Sequence, residues 1–342
     1  MSEFVTLDEI RAAKERIAGV AVRTPLYRVE RARLQMANFP EPEFDLYIKS
    51  ESEQPIGSFK LRGAYNMVSQ LSPEALRRGV ITYSSGNHAQ GVAYAARALG
   101  AKAVIVMPNN APEVKKAATR ALGAEIVEVG PASSERRLKA EELVAKHGYA
   151  MIPPYDAPQI IAGQATCGLE IVEQLPGVEL VISPVSGGGL LSGIATAVKL
   201  SAHVGLADSN VKVWGAEPEL AADAKESFYT KTLVEWPAAK TTRTIGDGLR
   251  TQSLGVLNFA HVLKFVDGIV TVSEEEILAA MRVMLSVTKL VPEPSGAVTL
   301  AAALFHADEL PKARKVAVVL SGGNLEPALR ERLEGESAVT KA

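Results

Sequence analysis

Short, strongly apolar runs alternate along this chain with longer, alanine-rich stretches. Several runs are apolar at nearly every position, which is typical of parallel strands covered by helices on both faces. The alternation predicts an α/β fold with mainly parallel sheets. The predicted strands are 45–50, 79–83, 103–107, 125–129, 149–152, 180–184, 211–216, 269–272 and 316–320.

Polar residues mark where some of the intervening helices begin and end. Thr6 is followed by Glu9, and Ser273 is followed by Glu276, so both pairs match a capping box. Gly19 has the position of a C-terminal cap. These residues agree with the helices that the apolar pattern predicts.

The order of the units indicates two sheets. Four strand–helix units lie between 79 and 152, which is enough for a small sheet of its own. The segments on either side would then form a larger sheet. We therefore expect a large domain of residues 1–78 plus 153–342 and a small inserted domain of residues 79–152.

Composition excludes several classes of protein. The chain has 342 residues, 47% of them hydrophobic, so it can bury a large core. A net charge of -2 without a basic block argues against nucleic acid or an anionic membrane as a partner. The single cysteine, Cys167, suits a reducing compartment. With neither a signal peptide nor an apolar run of 18 residues, we expect a cytoplasmic protein.

The segment Ser-Phe-Lys-Leu-Arg-Gly at 58–63 follows a turn. Ser58 is predicted to cap a helix that extends to Val68, which places Lys60 in the first helical turn. The positive end of the helix and packing around Phe59 would both lower the pKa of the Lys60 amine. A Schiff-base lysine needs such a pKa. Alone, the motif also fits an ordinary surface lysine.

Three further polar turns follow predicted strands. Ser84-Ser85-Gly86-Asn87-His88 offers backbone N–H groups to a carboxylate, or is a plain capping turn. The segment of Ser186 and three glycines, at 187–189, favours a phosphate cradle over a structural turn. Its spacing matches neither the P-loop motif nor the dinucleotide-binding motif. Ser-Gly-Gly-Asn at 321–324 fits a ligand site or a turn.

One acidic loop has the composition of a cation site. Glu217, Asp223 and a carbonyl between them could bind Mg²⁺, Mn²⁺ or Ca²⁺, although most acidic loops are simply solvated. The five histidines, at 88, 147, 203, 261 and 306, show no zinc spacing.

The order of four of these motifs, the lysine segment at 58–63 and the three polar turns, resembles that in the fold-type II pyridoxal-phosphate enzymes. Within that group it is similar to the serine/threonine dehydratases and serine racemases, over nearly the whole chain from 21 to 324. The resemblance implies two open, mainly parallel sheet domains like those of the tryptophan synthase β chain. It also implies pyridoxal 5'-phosphate as the cofactor, a small amino acid as the substrate and a homodimer.

The resemblance assigns roles to individual residues. Lys60 would carry the cofactor and move the Cα proton, and Ser85 would face Cα from the opposite side. The divalent cation would be bound by Glu217, Ala221 and Asp223. The substrate carboxylate would be bound by Ser84, Ser85, Asn87 and His88. The cofactor would be contacted by Phe59, Lys60, Asn87, Gly187, Gly188, Gly189, Leu190, Gly248, Glu293 and Ser321.

The expected reaction removes water and ammonia from a β-hydroxy amino acid such as L-threonine or L-serine, which leaves a 2-keto acid. The alternatives are a dehydratase for phenylserine or 3-hydroxyaspartate, a serine racemase and, less favoured, a non-catalytic binding protein with this fold. Ser85 is racemase-like, whereas Ala89 is dehydratase-like. Arg136 either recognises a second carboxylate or, as we expect, is a surface residue beside Arg137. Control by a C-terminal regulatory domain is not expected.

Overall fold

The strands form two sheets in the computed structural model, which describes residues 4–37, 39–84, 86–111, 113–130 and 133–339. The larger sheet has the strand order β1-β2-β10-β7-β8-β9, and the smaller has the order β5-β4-β3-β6. The strands are β1 Leu26–Arg28, β2 Asp45–Ser50, β3 Val80–Tyr83, β4 Ala103–Pro108, β5 Glu125–Val129, β6 Ala150–Met151, β7 Leu180–Pro184, β8 Lys212–Pro218, β9 Gly268–Val272 and β10 Lys315–Leu320.

Helices cover both sheets. None of the described helices is both long and apolar enough to span a bilayer. Single 3₁₀ turns lie at Glu51–Glu53, Glu219–Ala221 and Asp247–Leu249, and a π-helical turn lies at Met284–Thr288. The α-helices are α1 Leu7–Ile17, α2 Arg31–Met36, α3 Lys60–Val68, α4 Pro73–Arg78, α5 Asn87–Ala98, α6 Glu113–Ala121, α7 Ser133–His147, α8 Pro158–Gln174, α9 Gly189–His203, α10 Asp223–Thr230, α11 Ala238–Thr241, α12 Val256–Phe265, α13 Glu274–Val283, α14 Pro294–Phe305 and α15 Pro327–Val339.

The larger sheet is parallel except for its edge strand β1, which runs antiparallel to β2. Neighbouring residues of one strand face opposite cores, since Val181 and Ile182 belong to different hydrophobic clusters. This explains the continuous apolar runs, because every side chain of such a strand is buried on one face or the other. The predicted fold class is confirmed, and each predicted strand lies within two residues of an observed one.

The smaller sheet is wholly parallel and contains only strands between 80 and 151. One of its faces packs against α7, and the other packs against α5. Ala64 and Val68 of α3 and Ile160 of α8 also join the core beneath this second face. Helices from outside 79–152 thus pack on the smaller sheet, and the proposed domain boundaries at 78/79 and 152/153 stay a prediction.

The helix ends agree with the sequence with one exception. Both predicted capping boxes are present, at Thr6 and Ser273. Ser58 does not cap α3, because Phe59 occupies the N-cap position and makes no side-chain cap. The prediction for Ser58 was wrong because its backbone instead forms an antiparallel bridge with Gly322, which holds it extended ahead of the helix.

A buried ionic network fixes α3 to the larger sheet. The Arg62 guanidinium is fully buried and lies 2.7 Å from carboxylate oxygens of both Glu51 and Glu170. The Lys49 ammonium also pairs with Glu170. Burial alone would raise the pKa of Glu51, but Arg62 lowers it to about 2. Glu51 therefore stays ionised, and the network ties the helix that begins at Lys60 to β2 and α8.

Removing Arg62 tests this anchor. We expect Arg62→Met to lower the free energy of unfolding by about 3–5 kcal/mol, because two buried carboxylates lose their cation. Arg11→Met is the matched control, since Arg11 forms an exposed pair with Asp8 and its loss changes stability by about 0.5 kcal/mol or less. Urea unfolding of both variants measures the difference, and equal effects would contradict the anchor.

Candidate active site

Lys60 is the first residue of α3 and lies at the junction of the two sheets. Its half-buried amine donates a 2.7 Å hydrogen bond to the carbonyl oxygen of Pro154, in the loop between β6 and α8. The Nζ atom lies 5.1 Å from the centroid of the Phe59 ring. The amine is thus held by one carbonyl oxygen, which leaves the rest of its hydrogen-bonding capacity for another partner.

Two ionisable groups with perturbed pKa values, Lys60 and Glu293, lie together here. Burial lowers the pKa of Lys60 to about 8, and the Glu293 carboxylate opposes that shift. Burial also raises the pKa of Glu293, helped by the nearby charge of Asp247. With a pKa of about 8, roughly a tenth of the Lys60 amine is uncharged at pH 7, far more than for a lysine in water, and the uncharged form is the one that attacks an aldehyde.

Asn87 links the two sheets through its side chain. It is the first residue of α5, and its Nδ2 donates to Glu293 Oε1 at 2.7 Å. Its Oδ1 accepts a hydrogen bond from Asn324 Nδ2, also at 2.7 Å. Asn324 in turn donates to the carbonyl oxygen of Ile56. The polar turns after β3 and β10 and the turn before Lys60 therefore meet at one point.

The glycine segment at 187–189 forms a cradle between β7 and α9. Gly188 has a left-handed backbone (φ 92°) and is the N-cap of α9, and no side chain caps that helix. The N–H groups of the first turn, which includes Leu190, therefore have no carbonyl partner within the helix and attract an anion. A Cβ atom on Gly187 would overlap the Tyr155 ring. The site fits the phosphate of a cofactor.

A second helix terminus supports this cradle. The carbonyl oxygen of Gly187 accepts hydrogen bonds from Gly255 N and Asn258 Nδ2. The Asp156 carboxylate accepts from backbone N–H groups of the first turn of α12, such as Leu257 N. Asp156 therefore neutralises the positive end of α12 and holds it against the glycine segment.

The turn after β3 is only partly described, since Ser85 lies outside the described residues. Ser84 is half-buried, and its Oγ accepts a 3.4 Å hydrogen bond from Gly86 N. His88 is buried with Nε2 3.0 Å from the carbonyl oxygen of Ile152, so Nε2 carries a proton. Burial, with the Lys60 charge, lowers the pKa of His88 to about 3. His88 is therefore neutral and serves as a hydrogen-bond donor.

The two remaining cofactor-binding candidates lie close to Glu293. Gly248 N donates to Ser295 Oγ at 2.9 Å, in the first turn of α14, whose N-cap is Glu293. Ser321 is buried directly after β10, and its carbonyl oxygen accepts from Phe59 N at 3.0 Å. The end of β10 is thereby joined to the segment that carries Lys60.

The predicted cation ligands lie together at the end of β8. Glu217 and Asp223 are buried, and Ala221 lies in the turn between them. Burial raises the pKa of both carboxyls, that of Asp223 to about 7. Asp223 Oδ2 has no hydrogen-bond partner in the part of the chain that the structure describes. Within the described ranges, no group of three or more His, Cys, Asp or Glu side chains could hold a metal ion.

Sequence reasoning missed the loop between β6 and α8. Pro154 supplies the acceptor for Lys60, Tyr155 covers the glycine cradle and Asp156 caps α12. A signal was present, because Pro-Pro-Tyr-Asp at 153–156 directly follows a strand, where ligands often bind in parallel sheets. Arg136, expected to be a surface residue beside Arg137, differs from that neighbour. Arg136 is half-buried with an unpartnered Nε, whereas Arg137 is exposed.

A desolvated lysine and a phosphate cradle at the carboxyl ends of parallel strands define an α/β enzyme that holds a phosphorylated cofactor on a lysine. The chain matches the pyridoxal-phosphate dependent enzyme family over residues 17–322, and it belongs to that family. This membership confirms the resemblance seen in the motifs, and with it pyridoxal 5'-phosphate (PLP) as the cofactor.

Known relatives cover nearly the whole chain. L-threo-3-hydroxyaspartate ammonia-lyase of Saccharomyces cerevisiae is 41% identical over 82% of this chain and 83% of its own length. Serine racemase of Schizosaccharomyces pombe is 36% identical over 94% of both chains. The crystal structure of a threonine deaminase from T.th. matches with a TM-score of 0.84 and 43% identity, over 94% of this chain and 99% of that one.

The lowered pKa of Lys60 predicts how fast the apoprotein takes up PLP. We expect the rate to rise with pH as the amine loses its proton and to level off above about 8. A lysine in water would continue to gain reactivity up to about pH 10. Visible absorbance of the bound cofactor measures the rate.

Glu293→Gln provides the control for that pH profile. It removes the carboxylate whose charge raises the pKa of Lys60, so the midpoint should move to lower pH. A midpoint near pH 10 in the unmodified protein, or one that moves upward in the variant, would contradict the assignment.

Proposed function

We propose that this enzyme is a PLP-dependent ammonia-lyase that converts a β-hydroxy amino acid, such as L-threonine or L-serine, into a 2-keto acid and ammonia. The observation that carries the proposal is the Lys60 amine, desolvated and bonded to Pro154 O, at the point where the motifs of both sheets meet. The names of the relatives, an ammonia-lyase and a threonine deaminase among them, support the same reaction.

The described residues suit the cofactor-binding roles. Lys60 would carry PLP covalently, and the free amides of Gly188, Gly189 and Leu190, next to Gly187, would bind its phosphate. PLP, when bound, withdraws electrons from the Cα atom of the attached amino acid. The other residues proposed to surround it are Phe59 against the ring face, Asn87 at the ring hydroxyl, Ser321 at the pyridine nitrogen, and Gly248 and Glu293 in the pocket wall.

The amides at the start of α5 suit the substrate carboxylate. Asn87 is the first residue of that helix, so the carboxylate would lie at its positive end. His88 is neutral, so it would position the substrate with Ser84 and Ser85 without removing a proton. Lys60 would move the proton at Cα, with Ser85 proposed on the opposite side.

The neutral hydroxyl of Ser321 favours elimination. A carboxylate at that position would hold the pyridine nitrogen protonated and spread the negative charge from Cα into the ring. Ser321, as a neutral hydroxyl at that position, would leave more negative charge at the substrate Cα atom and would favour loss of the β-hydroxyl. The eliminated product then hydrolyses to the keto acid and ammonia.

A substrate panel tests the reaction. Threonine and serine should each release keto acid and ammonia, and Lys60→Ala should lower that rate by more than about 10³-fold, since the variant loses both the cofactor linkage and the proton-transfer group. Lys102→Ala is the control because Lys102 forms an exposed pair with Glu125. The proposal would be contradicted if no member of the panel released a keto acid, or if Lys60→Ala kept full activity. D-serine formation from L-serine would favour a racemase instead.

A second candidate substrate is 3-hydroxyaspartate, favoured by Arg136. Its Nε is buried and unpartnered, and its charge lies near enough to Tyr83 for the two to interact. Tyr83 directly precedes the Ser84 turn and also influences the pKa of Tyr155. A half-buried guanidinium whose Nε has no hydrogen-bond partner among the described residues suits a second substrate carboxylate.

Replacing Arg136 separates the two substrates. If Arg136 binds a second carboxylate, Arg136→Leu should lower kcat/KM for 3-hydroxyaspartate relative to threonine by about 10- to 100-fold. Arg137→Leu is the matched control, since that neighbouring side chain is exposed and pairs with Glu141. An unchanged ratio in Arg136→Leu would exclude this role.

We also propose a divalent cation such as Mg²⁺, Mn²⁺ or Ca²⁺ at Glu217, Asp223 and the carbonyl oxygen of Ala221. The buried, unpartnered oxygen of Asp223 supports this, because a buried carboxylate needs a positive partner. Water or further carbonyl oxygens would complete the coordination.

A homodimer in the cytoplasm completes the proposal. The family resemblance of the four motifs supports the dimer. A single, buried cysteine supports a reducing compartment.

A further inference from the structure

The carbonyl oxygen of Gly187, in the glycine cradle, accepts two hydrogen bonds from the start of one helix. Gly255 N donates to it at 3.0 Å, and Asn258 Nδ2 donates to it at 2.8 Å. Gly255 is the N-cap of α12, and Asn258 is the third residue of that helix. Because both donors belong to α12, the Gly187 carbonyl is held pointing toward that helix.

The direction of this carbonyl determines the direction of the next amide. The oxygen of Gly187 and the N–H of Gly188 belong to one planar peptide group, and no cis peptide bond occurs among the described residues. In a trans peptide the C=O and N–H bonds point in opposite directions. The Gly188 N–H therefore points away from α12. Under the proposed function this N–H is one of the amides that bind the phosphate.

A peptide group between two glycines needs a restraint from outside. Gly187 and Gly188 have no Cβ atoms, so the backbone angles on both sides of their shared peptide are less restricted than in other residues. Rotation of that peptide would turn the Gly188 N–H away from the phosphate and bring a carbonyl oxygen, which repels an anion, toward it. The two hydrogen bonds from α12 oppose this rotation, and Asn258 supplies the side-chain one.

Asn258 is itself fixed relative to the cradle. It is fully buried, its backbone N–H donates to Asp156 Oδ1 at 3.2 Å, and its carbonyl oxygen accepts from Ser192 Oγ at 3.1 Å. Ser192 lies on α9, the helix that follows the cradle. A Cβ atom on Gly188 would lie only 2.9 Å from Asn258 Cβ, so Asn258 packs directly against the cradle.

We propose that Asn258 is a positioning residue that sets the affinity of the cradle for the phosphate of the cofactor. Its side-chain amide holds the Gly187 carbonyl and thereby keeps the Gly188 N–H directed at the phosphate. Asn258 thus acts through the backbone of the cradle. This inference rests on the proposed function, because it requires the cradle to bind the phosphate of PLP.

The experiment compares two ligands that differ only in the phosphate, PLP and pyridoxal. Both carry the aldehyde that reacts with Lys60, so the ratio of their Kd values reports what the phosphate contributes. The apoprotein is titrated with each ligand and followed by visible absorbance, and its stability is measured in urea. Asn258→Leu removes the donor and keeps a similar branched shape. Asn258→Ala removes it without a bulky replacement and is used if Asn258→Leu does not fold.

Asn66→Leu is the matched control. Asn66 is also a buried asparagine, and its Nδ2 donates to a backbone carbonyl oxygen, that of Gln159, at 2.7 Å. This bond joins α3 to α8 and does not involve the glycine cradle. The control therefore shows what the loss of a buried asparagine does when the phosphate site keeps its hydrogen bonds.

We expect both Asn258 variants to bind PLP about 3- to 10-fold more weakly than the unmodified chain, the effect of about one hydrogen bond. Their Kd for pyridoxal should stay within about twofold of the original value, because pyridoxal has no phosphate for the cradle to bind. The preference for PLP over pyridoxal should therefore fall. Asn66→Leu should keep that preference even where it lowers the stability of the apoprotein.

Three results would overturn the inference. In the first, both ligands bind equally more weakly to the Asn258 variants, which shows that Asn258 only stabilises the fold. In the second, the Asn258 variants bind PLP with unchanged affinity. In the third, Asn66→Leu loses as much of the preference for PLP. Failure of the proposed function is distinct, because it appears in the unmodified chain as a lack of PLP uptake, and the inference then fails with it.

Discussion

The active site depends on keeping one lysine amine out of water and within reach of a carbonyl oxygen. Lys60 Nζ meets this condition through its bond to Pro154 O, and burial lowers its pKa to about 8. The loop that supplies this carbonyl also places Tyr155 over the glycine cradle and Asp156 at the N-terminal end of α12. A single short loop therefore sets the distance between the amine and the phosphate site.

Two further contacts fix the segment that carries Lys60 to the larger sheet. The buried Arg62 network ties α3 to the larger sheet, and the bridge between Ser58 and Gly322 ties the preceding residues to the end of β10. Asn87, from the smaller sheet, reaches Glu293 across the junction. Because the site takes residues from both sheets, movement of one sheet against the other would alter its geometry directly.

Most of the fold was predictable because parallel strands buried on both faces leave continuous apolar runs in the sequence. β1 was missed, since its three residues, Leu26–Arg28, lie at an edge and are largely exposed. In the site, glycines and the lysine motif were recognisable from their residue types. The acceptor Pro154 O was not, because any residue has a carbonyl group and only the fold selects one. The partial burial of Arg136 likewise depends on packing that local sequence does not encode.

Chemical trapping tests the central claim most directly. Borohydride reduction of the PLP-loaded protein makes the linkage to the lysine permanent, and peptide mapping by mass spectrometry then identifies the modified residue. We predict stoichiometric label on the peptide that contains Lys60. Label on another lysine, such as the buried Lys49, or no stable label on any peptide, would contradict the account.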